Sequence, residues 1–136
     1  PALWWDKASF REAEPIARFG NLFVFEGKFD IRPMRAQGLA YRASFEVFGP
    51  EPNIQKAIEM LTESADLDPR AFFISLEVGN LHLGQGRRDQ ALAFYKKALE
   101  YIPQEDPQRL ELERQIGIVA SEPLENIRPL RNPGLE

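Results

Sequence analysis

The sequence predicts an all-α domain, a stack of helix pairs followed by a capping helix and a proline-containing C-terminal tail. Three observations predict it. Apolar residues recur at helical spacing along most of the chain, two-residue alternation is almost absent, and one segment repeats at an interval of 34 residues. Proline and glycine supply the punctuation. Pro15, Pro33, Pro52, Pro69 and Pro107 stand near the starts of apolar-periodic runs, where a missing N–H costs nothing, and Gly27, Gly49 and Gly86 stand where such runs stop.

The elements follow in order. A first helix is expected from Pro15 to Glu26. Asp30 can cap a second from Ile31 to Phe48, with Pro33 tolerated in its first turn. Asn53 can cap a third, whose Ile54, Ala57, Ile58, Leu61 and Ala65 keep the i, i+3, i+4, i+7 stripe of a one-sided helix. Asp68-Pro69 closes that run. A fourth helix is expected from Arg70 to Leu83, a fifth from Asp89 to Tyr101, and a sixth from Pro107, capped by Asp106, to Ala120. Beyond it Pro123, Pro129 and Pro133 forbid a continuing helix and favour extended chain, while Leu124, Ile127 and Leu130 make the segment less polar than a linker. Residues 1–121 are thus read as the helical domain and 122–136 as the tail. The tail is read either as a frayed end or as a strap lying on helices.

Composition narrows the function. With 136 residues the chain suffices for one core without disulfide or metal. It holds no cysteine and a single histidine, His82, so thiolate chemistry and multi-histidine metal sites are excluded and no cofactor is expected. Twenty-one acidic residues against 17 basic ones argue against non-specific nucleic-acid binding. No stretch approaches the ~18–20 consecutive apolar residues that span a bilayer. The chain opens Pro1-Ala2-Leu3-Trp4-Trp5, and the expectation is that it is processed or is part of a longer protein. Cytoplasm and periplasm both remain open as its compartment.

The internal repeat is the most informative feature. Ala57 and Ala91 are 34 residues apart, and so are Pro69 and Pro103. A helix pair of that length cannot bury its apolar face alone, so like units are expected to stack. On these residues the chain resembles the tetratricopeptide repeat family, most closely over residues 72–105. Gly79 stands at the family's small helix-crossing position, Ala91 at its close-packing alanine, Tyr95 at its aromatic, Ala98 at its second small residue and Pro103 at its closing proline. Ser75 and His82 depart from it, standing where Trp and Tyr are usual. In residues 38–71, Tyr41, Ala57, Leu61 and Pro69 fit, while Ser44 and Phe45 replace a Leu-Gly pair. A looser echo, Gly20-Asn21-Leu22 with Gly27 and Asp30, repeats Gly79-Asn80-Leu81 with Gly86 and Asp89. The resemblance implies a right-handed α-α superhelix of about 2.5 helix pairs. In it residues 31–48 form one long helix with an open face, expected to be covered by Trp4, Trp5 and Phe10 or by a second copy.

Catalytic patterns fail on geometry. Gly84-Gln85-Gly86 follows a helix and lacks the lysine of a phosphate loop. His82, the only base for a triad, falls on an apolar helix stripe and is expected to be packed. Glu12/Glu14, Asp66/Asp68 and Glu111/Glu113 are two apart and diverge on a helix.

Binding features remain. The resemblance implies a concave groove lined by the first helix of each pair, with Asn80, and Asn21 in the echo, at the position that hydrogen-bonds a peptide backbone; the same asparagine also occurs as a purely structural residue. The family's carboxylate-clamping lysines would fall at Leu76 and Gly84, so a terminal-carboxylate ligand is not expected. Phe73, Leu76 and Leu83 would make the groove apolar, suiting an amphipathic helix or an extended hydrophobic segment. Arg35 and Arg42, seven apart, form a basic stripe that is either a docking face for an acidic partner or a solvated face with Arg42 paired to Glu46. The expected function is a non-catalytic interaction or scaffold module for a protein or peptide partner. Two alternatives stay open: a soluble accessory tail of a membrane-embedded enzyme such as a glycosyltransferase, and a self-association module using the groove, the tail or the Trp4-Trp5 end.

Overall fold

A computed structural model describes residues 30–135. The expected helix at 15–26, the Asn21 echo and Trp4, Trp5 and Phe10 lie outside the described residues. The chain divides into two compact units, Pro1–Met34 and Arg35–Glu136. In the described part of the first, the Asp30 carboxylate accepts the Arg32 main-chain N–H at 3.0 Å and its guanidinium at 2.9 Å. Hydrogen bonding from Arg32 holds the Asp30 carboxyl well below its ordinary range, at about 2.

The described residues form five α-helices and no strand: α1 Arg32–Phe48, α2 Ile54–Leu67, α3 Phe72–Gly84, α4 Arg88–Leu99 and α5 Pro107–Ser121. Local chemistry sets most of their ends. Asn53 caps α2 by accepting the Lys56 N–H at 3.0 Å, and Asp106 caps α5 by accepting the Gln108 N–H at 2.9 Å, with Pro107 in the first turn. α3 ends where Gly86 takes a φ of 76°, and the Gly86 and Arg87 N–H groups return to the Leu83 and His82 carbonyls. That is the glycine-terminated double bond of a Schellman cap. The carbonyls at the end of α4 meet a side chain instead: the Arg109 guanidinium donates to Leu99 O and Ile102 O at 3.0 and 2.8 Å.

Packing follows the two-cluster distribution of apolar residues. Ala43, Ala57, Ile58, Leu61, Ala65, Ile74 and Val78 join α1, α2 and one side of α3. Small residues bring α1 close enough for the buried Ser64 hydroxyl of α2 to donate to Ala36 O at 2.6 Å. Leu76, Leu83, Ala91, Tyr95, Ala98, Ile102, Leu112 and Val119 join the other side of α3 to α4 and α5. α3 therefore feeds both clusters and is apolar around most of its circumference. Gly79 lies against Tyr95 so closely that a Cβ there would stand 2.6 Å from the ring. Ser75 is buried with no hydrogen-bond partner for its hydroxyl.

α1 keeps an apolar outer face. Tyr41 and Phe45 meet edge to face at a centroid distance of 5.4 Å, and with Phe48 they are exposed to solvent.

After α5 the chain is not uniformly extended. It forms two short 3₁₀ turns, Leu124–Asn126 and Pro133–Leu135, and meets the helices at intervals along its length. Leu124, Ile127 and Leu130 pack against the α3–α4–α5 cluster.

Candidate functional site

The site is built on α3 and centres on Asn80. That residue is only 5% exposed, although it is polar and carries no charge. Such burial requires its hydrogen bonds to be made, and they are. Its Oδ1 accepts the Tyr95 hydroxyl at 2.6 Å and the Leu130 main-chain N–H at 3.0 Å. Its Nδ2 donates to Leu130 O at 2.9 Å. One side chain thus holds both main-chain groups of a residue 50 positions along the chain, which is the pairing a neighbouring β-strand would make, supplied here by a carboxamide.

The rest of the tail is held in register around that point. Arg88, at the start of α4, donates to Val119 O at the end of α5 and to Glu122 O, at 3.0 Å for the latter, and so fixes where the tail leaves the helix. Gln115 donates to Arg128 O at 2.9 Å. Asn132, 7% exposed, donates to Phe73 O at 2.8 Å and to the Glu77 carboxylate at 3.2 Å. Gly134 rests on the Phe73 ring, where a Cβ would stand 2.5 Å from Cγ. Leu130 at Asn80 and Asn132 at Phe73 make the tail run antiparallel to α3.

Glu77 sits in the middle of this contact. Burial pushes its carboxyl above the ordinary carboxylate range, partly offset by the bonds from Asn132 and Asn80. Burial likewise pushes the Tyr95 hydroxyl up to about 12, so it remains the proton donor to Asn80 at any working pH. For Glu77 the folded pKa lies above the unfolded one, so its favourable contribution to stability is present in acid and lost as pH rises through the folded value. Glu77→Gln keeps an acceptor oxygen for both asparagines and has no charge to desolvate. We expect it to be more stable than the parent at about pH 7, with the gain shrinking towards about pH 4, as read by urea unfolding at each pH. A variant less stable than the parent at about pH 7 would show that the carboxylate's charge strengthens these bonds by more than its burial costs.

The residues singled out from the sequence fall in different places. Asn80 holds an extended backbone, and Phe73 bounds the same contact. Leu76 and Leu83 are buried, 2% and 4% exposed, in the cluster against which the tail residues Leu124, Ile127 and Leu130 pack. Arg35 and Arg42 are exposed on α1. Glu46 does not pair with Arg42; it faces Lys56 of α2 at 3.6 Å, because the α1–α2 packing brings that ammonium closer. His82 is packed, stacked on Phe94 at 5.7 Å, with its Nδ1 3.4 Å from the Arg87 guanidinium. Burial, and then the Arg87 cation, lower its pKa. Asp66 and Glu113 pair with Lys97 and Arg109 as surface charges.

Gln115, Arg88, Asn132 and Glu77 were not found by sequence reasoning. Of these, only Asn132 left a local signal, an Asn-Pro-Gly turn within an apolar tail. Among the described residues no cluster of His, Asp or Glu could hold a metal, and no helix is long and apolar enough to cross a membrane. Comparison of the chain with protein-family models, with curated proteins and with solved structures gave no match.

Proposed function

We propose that this chain is a non-catalytic helical-repeat module of tetratricopeptide-like build that binds an extended peptide along α3, with Asn80 as the residue that holds the peptide backbone. The observation that carries this reading is the two-way bond between the Asn80 carboxamide and the main chain of Leu130. Contacts to main-chain groups accept many sequences, and the apolar cluster beneath offers affinity to spaced leucine and isoleucine side chains. The 34-residue register and the Gly79–Tyr95 approach support the repeat assignment. In this reading the groove is filled in cis by residues 122–135, so a partner binds by taking their place.

The test uses the full chain with its tail loosened by Leu130→Asp and a fluorescent peptide of the natural sequence 122–135. Saturable anisotropy is expected, weakened roughly tenfold or more by adding Asn80→Ala. No saturation up to about 1 mM, the range of effective concentration a tethered segment enjoys, would overturn the proposal.

A further inference from the structure

Resting on that reading, the contacts also specify which peptide the groove takes. We propose that it reads sequence at the second residue after the clamped one, where Phe73 O and the Glu77 carboxylate form a subsite for a carboxamide. The ligand class is then a segment of pattern Leu-x-Asn-x-Gly, extended over its first three residues and turning at the last two, as Pro133–Leu135 does. The chain's own Leu130–Gly134 is the resident copy, and a partner segment of the same pattern displaces it.

Three observations converge. First, the Asn80 bonds to both main-chain groups of Leu130 fix register, since a one-residue slip would exchange which side chains face α3. Second, Asn132 is 7% exposed and its Nδ2 meets two acceptors, at 2.8 and 3.2 Å. Its orientation is dictated, because the reversed amide would set its oxygen against the Phe73 carbonyl and the Glu77 carboxylate. Its own Oδ1 is buried without a partner. The subsite therefore selects for donors alone, and a carboxylate there would meet an acceptor and a like charge. Third, the position two further on must lack a Cβ, which would stand 2.5 and 2.6 Å from Cγ and Cβ of Phe73. Backbone clamp, donor subsite and glycine gate lie in sequence along α3, which a merely adhesive apolar tail would not need.

The pattern is tested in cis and in trans. In the full chain, Asn132→Asp is expected to lower the exchange protection of the Leu130 amide roughly tenfold or more while the amides of α4 keep theirs. Adding Glu77→Gln to Asn132→Asp restores the carboxylate–amide pairing in reversed order and is expected to recover part of that protection. In trans, the labelled 122–135 peptide is expected to bind the Asn132→Asp chain roughly tenfold or more tightly than the unmodified chain, whose own tail competes. Peptides carrying Asn132→Asp or Gly134→Ala are expected to lose binding by a similar factor. If the natural peptide binds and these two bind equally well, the subsite inference falls while the groove reading stands. If no peptide binds a chain whose Leu130 amide has lost protection, both fall. Unchanged protection in the Asn132→Asp chain overturns the inference without recourse to any peptide.

Discussion

Replacing Asn80 with alanine is expected to destabilise the fold by about 3 kcal/mol, because three polar groups lose their partner in one step. The Tyr95 hydroxyl is buried and cannot turn to water, while the Leu130 N–H and C=O can reach water only if the tail lifts from the cluster beneath it. Either route costs: an unsatisfied buried hydroxyl in the first, the exposure of Leu124, Ile127 and Leu130 in the second. For a unit of this size the loss corresponds to a fall of about 10–15 °C in Tm. Asn80→Asp separates the contributions. It keeps the acceptor for Tyr95 and for the Leu130 N–H, but it cannot donate to Leu130 O and brings a second carboxylate beside Glu77. Thermal unfolding with an unchanged midpoint for Asn80→Ala would mean that the clamp is energetically idle.

Gly79→Ala is expected to cost about 2 kcal/mol, against the ordinary preference of a helix for alanine over glycine. The new Cβ would stand 2.6 and 2.7 Å from Cδ1 and Cε1 of Tyr95, well inside contact distance. The ring cannot yield by rotating, since it is fully buried and its hydroxyl is bonded to Asn80. Relief must come from moving α4 away from α3, which loosens the cluster around Ala91 and Ala98. The helix-propensity gain, at most about 1 kcal/mol, is smaller than this overpacking. Removing the ring as well, in Gly79→Ala with Tyr95→Leu, should cost less than the sum of the two single changes, and a denaturant double-mutant cycle measures that difference. A Gly79→Ala protein as stable as the parent would show that the two helices are not in rigid contact.

Much of the helical framework is legible in the sequence, where local chemistry decides it. Asn53 and Asp106 mark the starts of α2 and α5 because a side-chain acceptor at a helix start has an immediate backbone donor to meet. Gly79 and Tyr95 each stand out in the 34-residue register, but that the two touch is visible only in the packing, where a Cβ on Gly79 would stand 2.6 Å from the ring. α3 starts at Phe72, two residues after the Arg70 that the sequence predicts, because Ala71 makes no side-chain cap and leaves no signal there. Functional contacts were the least legible. Asn80 was found by its position in the repeat, but its occupant is held largely through main-chain groups that every residue owns. Arg88 and Gln115 act on carbonyls 13 to 34 residues away, and nothing in their own surroundings marks that role.

The long sequence separation of the tail's contacts has a kinetic consequence. Neighbouring helices meet through short loops and close quickly, whereas the bonds from Asn80 to Leu130 and from Asn132 to Phe73 span 50 and 59 residues. Loop-closure entropy for such contacts is recovered only after the surfaces they join exist. Helix pairing is therefore expected early in folding and docking of the tail late. A substitution in the tail should leave the refolding rate nearly unchanged and appear almost wholly as faster unfolding, whereas Gly79→Ala should slow the folding arm of the chevron.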